Sequence, residues 1–245
     1  MTLLTIVQNV ADEIGLAKPT TVVGSTDQTV RTLLAFANRS VKDLARVRGK
    51  FGAGWTILQR ENAFTTTAST AEYSLPSDFD RFIDETAWDQ TNYRAMRGNL
   101  SPQAWQAKKS GLIASSQFDR SWRVKRAASG VTNKFNVDPT PTTTGDNLIF
   151  EYVSNSPIVK ASDSSVTTAW TADADTTLLD ETLVELNMIW RFKSAKGWAY
   201  AIDLADFESQ RDMAIAADGG APTIYMAGRS FDLPEPNIPD TGFGS

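Results

Sequence analysis

The side chains that could carry out chemistry in this chain are mainly carboxylates, because its 245 residues include neither histidine nor cysteine. Without histidine, the commonest general base and the commonest transition-metal ligand are both missing. Ser–His–Asp catalysis, Cys–His catalysis, disulfide bonds and an ordinary zinc site are therefore excluded. Any enzymatic activity would have to rely on carboxylates, lysine, tyrosine or a cation bound by oxygen ligands.

The densest group of carboxylates follows a proline at position 76. Four acidic residues occur within eight positions, and they are Asp78, Asp80, Asp84 and Glu85. Two carboxylates at a suitable separation can hydrolyse a glycosidic bond, as in glycoside hydrolases and lysozyme-like domains. Clustered acids beside a turn are also typical of a solvated surface. We favour that second interpretation and predict no catalytic residue.

A second acidic pair resembles the start of a calcium-binding loop. Asp173 and Asp175 have the spacing of the first two ligands. The glycine and the terminal glutamate of such a loop are missing from the residues that follow. We therefore predict no metal site and no cofactor.

The charge balance is mildly acidic, with a net charge of −5 and a sequence pI near 4.9. A general nucleic-acid-binding protein is normally basic or has a basic stripe. An acidic surface can still face DNA that slides past without sticking. No stretch approaches the roughly 20 apolar residues of a membrane span, and the first residues lack a signal-peptide pattern, so we expect no membrane partner.

Helical periodicity, which would supply the rigid elements, occurs near both ends of the chain. The pattern predicts helices over Leu3–Gly15, capped by Thr2, and over Asp27–Val47, preceded by a capping box. A third helical region begins near Leu179 and is apolar on more than one side. Gly197 predicts a break within it, after which helix continues to Ala217.

A cluster of cations closes the second predicted helix, and it consists of Arg46, Arg48 and Lys50. Positive charge at a helix C-terminus suits the helix dipole, which is the simpler interpretation. A contact with an acidic partner or with DNA is the alternative.

The middle of the chain contains short strand patterns separated by turns, which favour an antiparallel sheet over βαβ units. A short helix with Ser101 as its cap and Pro102 at its first position interrupts them. The predicted strands are 55–61 continued by 64–67, 72–75, 82–88, 121–126, 134–137, 147–154 and 165–170.

These elements predict an α+β protein with three parts. Residues 1–50 and 179–218 form a discontinuous helical bundle, residues 51–178 form a β-rich domain, and residues 219–245 form an extended C-terminal arm. Four prolines and three glycines prevent regular helix in that arm after position 221.

The arm is nevertheless too apolar for a simple linker. Its candidate partner-docking residues are Ile224, Tyr225, Phe231, Leu233 and Ile238. We predict that the arm gains order when it docks on a partner. A frayed tail, or an arm folded on its own domain, is the alternative.

Five motifs occur in a fixed order along residues 1–218. They are Tyr73-Ser74-Leu75-Pro76-Ser77-Asp78-Phe79, Ser101-Pro102-Gln103-Ala104-Trp105, Asp138-Pro139-Thr140-Pro141, Leu148-Ile149-Phe150-Glu151-Tyr152 and Trp190-Arg191-Phe192-Lys193-Ser194-Ala195-Lys196-Gly197. The first, the corner motif, is the most informative, since it joins a strand pattern, a proline turn and a second strand pattern. In their order and spacing the motifs resemble those of the head-to-tail adaptor (connector) proteins of tailed phages, including the tail tubular protein A type.

The resemblance implies a structural virion protein without enzymatic activity. Members of this family form a ring, usually of twelve copies, that joins the portal protein to the tail or nozzle protein. Genome DNA passes through the lumen without sequence-specific binding. The resemblance also implies that the helices build the ring wall and the portal-facing part, and that the β-rich part faces the tail or a neighbouring subunit. The expected location is the head–tail junction of a virion assembled in the bacterial host cytoplasm.

Tryptophans distributed through the β-rich region leave a second function open. They are Trp55, Trp88, Trp105, Trp122 and Trp170. Exposed tryptophans beside Thr/Ser-rich strands could stack on sugars, as in a carbohydrate-binding or other tail-associated binding module, and tryptophan is also common at subunit interfaces. Packing inside the chain's own core is the simpler interpretation of each.

Overall fold

The computed structural model describes residues 1–48, 54–110, 120–128, 130 and 132–218. The expected C-terminal arm at 219–245, with its five docking candidates, lies outside these residues. The helices of the described part are α1 (Leu3–Glu13), α2 (Gln28–Ala45), α3 (Pro102–Ser110), α4 (Glu181–Lys196) and α5 (Ala201–Ala217). Helices near both termini and antiparallel sheets between them confirm the predicted α+β class.

Eleven strands, most of them short, form the sheets of the described part. Strand β9 lies between β10 and β11, and β7 lies between β2 and β6. Strand β8 pairs with β3, and β4 pairs with β5, in both cases antiparallel. The strands are β1 (Gln59–Thr65), β2 (Glu72–Ser74), β3 (Phe79–Phe82), β4 (Trp88–Asp89), β5 (Arg94–Ala95), β6 (Ser121–Arg126), β7 (Asn133–Asp138), β8 (Asn147–Ser154), β9 (Ile158–Val159), β10 (Val166–Thr167) and β11 (Thr176–Thr177).

The predicted helix ends follow from side-chain caps. The Thr2 hydroxyl accepts the N–H of Thr5 at the start of α1, as expected. The capping box expected at Ser25–Gln28 does not form, because Asp27 is the cap of α2 and its carboxylate accepts the N–H groups of Thr29 and Val30. Helix α4 ends at Gly197, whose φ of +74° is the left-handed conformation that favours glycine. The expected break at this glycine is therefore confirmed.

Three predicted strands are wrong in part. Residues Thr56–Leu58 form a 3₁₀ turn before β1 begins at Gln59. The strand expected over 82–88 is instead the end of β3, a turn, and the start of β4. The Thr86 hydroxyl closes that turn by donating to the Ile83 carbonyl at 2.7 Å. Only Val166–Thr167 of the strand expected over 165–170 is extended and paired.

The described residues divide into two compact units. The first contains residues 1–63, 74–86 and 149–218, and the second contains residues 64–73 and 87–148. The division into a helical bundle and a β-rich domain, with boundaries at residues 51 and 178, stays a prediction.

The core of the first unit surrounds α4, which packs against α1, α2 and α5. This arrangement explains why α4 carries apolar residues on several sides, as its sequence predicts. The fully buried residues of this core include Leu3, Ile6, Val7, Val10, Ala37, Val41, Val184 and Met188.

The second unit has a smaller aromatic core. The rings of Trp122 in β6 and Phe135 in β7 stack with centroids 5.0 Å apart. Phe64 packs on Phe135 and on Tyr73, with centroid distances of 5.6 and 4.8 Å. The cap of α3 forms as expected, because the Ser101 hydroxyl accepts the N–H of Ala104.

Candidate partner-binding surfaces and the acidic corner

Asp78, in the corner between β2 and β3, is the centre of a hydrogen-bond network in the first unit. Its carboxylate accepts the hydroxyl of Tyr152 at 2.9 Å, the hydroxyl of Ser154 at 2.8 Å and a guanidinium N–H of Arg60 at 2.8 Å. The backbone carbonyl of Asp78 also accepts the N–H of Asn155. The corner is therefore bonded to β8 and the residue after it, and to β1 through Arg60.

Burial alone would raise the pKa of Asp78, because a low-dielectric environment disfavours the carboxylate. The hydrogen bonds from Ser154, Tyr152 and Arg60 outweigh that effect and lower the pKa below its ordinary value. Burial, and then the bond to Asp78, raise the pKa of the Tyr152 phenol to about 12. Asp78 is therefore an ionised acceptor with its donors in place.

This arrangement argues against the glycoside hydrolase interpretation of the acidic cluster. A general acid of that chemistry needs a raised carboxyl pKa, whereas the pKa of Asp78 is lowered. Asp80 forms an ion pair with the adjacent Arg81. Asp84 and Glu85 are exposed in the turn between β3 and β4. The interpretation of these last residues as a solvated surface agrees with their exposure.

The carboxylates of Asp173 and Asp175 are bound by hydrogen-bond donors in the chain itself. Asp173 accepts the N–H groups of Val22 and Val23. Asp175 is 1% exposed and accepts the N–H groups of Ala161, Thr171 and Ala172. Oxygen atoms that already accept these bonds are poor ligands for calcium, so the pair organises loops instead.

The pKa of Asp175 follows the same logic as that of Asp78. Burial raises it, but the N–H donors of Ala161 and Thr171, the Thr171 hydroxyl and the N–H of Ala172 together lower it. Among the described residues, no group of three or more acidic side chains is arranged to hold a metal ion.

An open cleft of about 540 Å³ lies beside the Asp78 network. Arg60, Asp78 and Ser156 line one part of it, and residues 164–168 line the other. Its lining is mainly polar and short, and it lacks the apolar walls that enclose most small-molecule ligands.

The second unit contains an ion triad that the sequence does not predict, formed by Arg120, Asp89 and Asp146. Arg120 is 3% exposed and binds Asp89 at 2.7 Å and also Asp146. Asn92 donates its backbone and side-chain N–H groups to Asp89. The three charged residues are distant in sequence and follow no periodic pattern, so only the folded chain reveals their association.

The tryptophans that left a sugar-binding function open are mostly core residues. Four of them are buried, namely Trp55, Trp105, Trp122 and Trp170. Their rings offer no free face to a sugar or to a neighbouring subunit. These four tryptophans are therefore residues of the chain's own core.

Helix α2 presents a row of cations on the side opposite its buried residues. We call this row the basic face, and its members are Arg31, Arg39, Lys42 and Arg46, with Ala35 between them. Arg31, Lys42 and Arg46 form no ion pair with another described residue. Arg46 and Arg48 suit the dipole of α2, while Lys50 lies outside the described residues.

Helix α5 presents a different exposed surface, which we call the stripe face. Ile202 is 79% exposed and Met213 is 53% exposed. At about 100° per residue, Ala205, Ser209 and Ala216 lie on the same side of the helix. Asp206 and Asp212 flank this stripe, each about 60° from its centre. Phe207 is the one buried residue of α5.

No described helix is long and apolar enough to cross a membrane. The sequence model of the family described as SU10 adaptor protein matches residues 1–228. No curated protein matches the chain.

Proposed function

Because the chain belongs to the SU10 adaptor protein family, a phage adaptor family of structural proteins, we propose that it forms a ring between the portal and the tail. The ring contains about twelve copies, and genome DNA passes through its lumen. The family match over residues 1–228 is the observation that carries this proposal. The tail tubular protein A type remains a finer prediction within it.

The chemistry of the chain supports a mechanical role. The carboxylates that could have been catalytic or metal-binding are occupied by internal donors at Asp78, Asp173 and Asp175. These bonds tie loops to helices and strands, as expected of a rigid building block. A net charge of −5 reduces sticking of the DNA backbone to the protein.

The C-terminal arm at 219–245 is proposed as the segment that docks on a partner. Its apolar residues Ile224, Tyr225, Phe231, Leu233 and Ile238 would be ordered on docking, and the conformational entropy would be lost at that step. The chain alone is then a monomer or a weak oligomer, and the portal templates the ring.

The native mass of the chain, alone and mixed with the portal protein of the same genome, tests this proposal. We expect a small species alone and a many-copy ring on the portal. A chain that ignores the portal would refute the adaptor function, and glycan binding would be tested next. Deleting residues 222–245 should leave the helical content intact and weaken docking, so normal assembly of the truncated chain would refute the arm's role.

A further inference from the structure

We propose that neighbouring copies in the ring meet through unlike surfaces, with the basic face of α2 in one copy against the stripe face of α5 in the next. This inference rests on the proposed function, since it names the surface that repeats around the ring. A contact between unlike surfaces is heterologous, and it closes into a ring when the rotation between copies allows.

The first argument is the position of the two helices around α4. Trp190 packs on Phe207 with ring centroids 6.4 Å apart, and Lys193 binds an aspartate of α5. Arg191 and Phe192 instead contact α2, through Asp43 and Phe36. At about 100° per residue, the two pairs of α4 residues point about 180° apart. Helices α2 and α5 therefore flank α4 on opposite sides.

The second argument is the direction of the exposed faces. The basic face lies about 180° around α2 from the centre of its buried residues, and the stripe face lies about 180° around α5 from Phe207 and its neighbours. Both faces thus point away from α4, in opposite directions. A ring of about twelve copies turns by only about 30° at each interface, so its two contact faces must be close to opposite.

The third argument is complementarity of charge and length. The basic face carries Arg31, Arg39, Lys42 and Arg46, whereas Asp206 and Asp212 flank the stripe face. From first to last residue, the basic face is about 22 Å long and the stripe face about 21 Å. Opposite charges across an interface favour the correct partner and its register.

The exposed apolar residues of α5 also find a suitable partner in this arrangement. Ile202 and Met213 are large and exposed, and the aliphatic stems of arginine and lysine can cover such side chains while their charged ends reach the flanking carboxylates. Ala35 leaves space in the middle of the basic face for close approach. DNA binding by the same cations would leave the stripe face without a role.

Cross-linking between copies tests the inference directly, because the chain has no cysteine of its own. Ala35→Cys places a thiol on the basic face, and Ser209→Cys places one on the stripe face. The two variants would be treated with a short bis-maleimide, separately and as a mixture, in the presence of the portal protein. We expect covalent dimers in the mixture and none in either variant alone. A mixture of Ser209→Cys with Glu13→Cys, on the exposed side of α1, is the matched control.

Charge reversal provides an independent test. One variant carries Arg31→Glu with Lys42→Glu, and the other carries Asp206→Lys with Asp212→Lys. Either variant by itself would place like charges across every interface. Its copies should therefore associate at least about tenfold more weakly than those of the unmodified chain. An equal mixture of the two should assemble again when the variants alternate around the ring. Each reversed face then meets the other variant's reversed face, and each unreversed face meets an unreversed face, so opposite charges pair at every interface.

Matched controls reverse as many charges at exposed positions that belong to neither face. Lys18→Glu with Lys109→Glu, and Glu13→Lys with Asp84→Lys, should assemble like the unmodified chain. Circular dichroism of every variant separates a loss of association from a loss of folding.

The outcomes separate this inference from the function on which it rests. A many-copy ring on the portal without the mixed cross-link would overturn the interface and leave the adaptor function standing. Self-cross-linking of either cysteine variant would show that like faces meet, which also overturns it. If reversal on α2 lowers DNA binding while assembly stays normal, the basic face is a DNA surface and the inference is wrong. Failure to form any ring would refute both.

Discussion

Removing the Asp78 carboxylate should destabilise the first unit by about 3 kcal/mol. In Asp78→Ala, the hydroxyls of Tyr152 and Ser154, each 3% exposed, lose their acceptor inside the protein. Each buried donor left without a partner costs about 1–2 kcal/mol. Arg60 contributes little to the total, because its side chain is 51% exposed and is hydrated when the ion pair is lost.

Urea unfolding followed by far-ultraviolet circular dichroism measures this effect. Asp84→Ala is the matched control, since Asp84 is exposed in the next turn, and it should change the free energy of unfolding by less than about 0.5 kcal/mol. Tyr152→Phe should cost about 1 kcal/mol, because one hydrogen bond is lost.

The double variant, Asp78→Ala with Tyr152→Phe, distinguishes an orphaned hydroxyl from general damage to the corner. Without the tyrosine hydroxyl, Asp78→Ala leaves one donor fewer unsatisfied, so the double variant should be more stable than the two single effects predict by about 1 kcal/mol. Additive effects, or an Asp78→Ala effect within about 1 kcal/mol of Asp84→Ala, would refute the reasoning.

The stability that the Asp78 network contributes can also be measured as a function of pH. Because the folded-state pKa of Asp78 is lowered, its stabilisation is fully present above the ordinary carboxyl pKa of 3.8. It is lost as the pH falls through the lower folded-state value. The stability difference between the unmodified chain and Asp78→Asn should therefore shrink at acid pH. A difference that persists well below the ordinary pKa would contradict this assignment.

Three further predictions concern other parts of the molecule. Arg120→Ala should cost about 3–5 kcal/mol in the second unit, because the buried carboxylate of Asp89 and the partly buried carboxylate of Asp146 lose their partner. Lys125→Ala, at a more exposed ion pair, should cost under about 1 kcal/mol, and equal urea midpoints would contradict this. Gly197→Ala should cost about 1 kcal/mol through its positive φ alone, since no atom lies near an added Cβ, and an unchanged midpoint would argue against the left-handed cap. The raised pKa of Tyr152 predicts stability that is complete below pH 10 and is lost as the pH rises toward about 12, and Tyr152→Phe should remove that part of the alkaline decline.

The helices could be predicted from sequence because their signals are local. Thr2 and Asp27 stand next to the helices that they cap, and Gly197 stands at the end of α4. The two-residue strands β9 and β11 could not be predicted in this way, since they are defined by pairing with segments up to 19 residues away. The sequence wrongly predicts strand through the turn between β3 and β4, because Phe82, Ile83 and Trp88 have a strand-like composition across it.

The roles of the acidic residues were harder to predict than the elements that carry them. The sequence pattern groups Asp78 with Asp80, Asp84 and Glu85, whereas the fold separates it from them by giving it Tyr152 and Ser154 as donors. Those donors are 74 and 76 residues away. The members of the basic face and of the stripe face recur at helical spacing in the sequence, but the opposed directions of the two faces depend on both helices packing on α4.

The way α1 begins has a consequence for how the chain folds during synthesis. The backbone N–H groups of Leu3 and Leu4 donate to the carbonyls of Asp175 and Asp173, and α1 packs on α4. The first helix to leave the ribosome therefore lacks α4 and the carbonyls of Asp173 and Asp175 until about 170 residues or more have followed, which takes roughly 10 to 35 s at bacterial rates of elongation. The described part of the second unit, by contrast, is complete by Leu148. The middle of the chain can therefore fold while it is being made, and the two ends join afterwards.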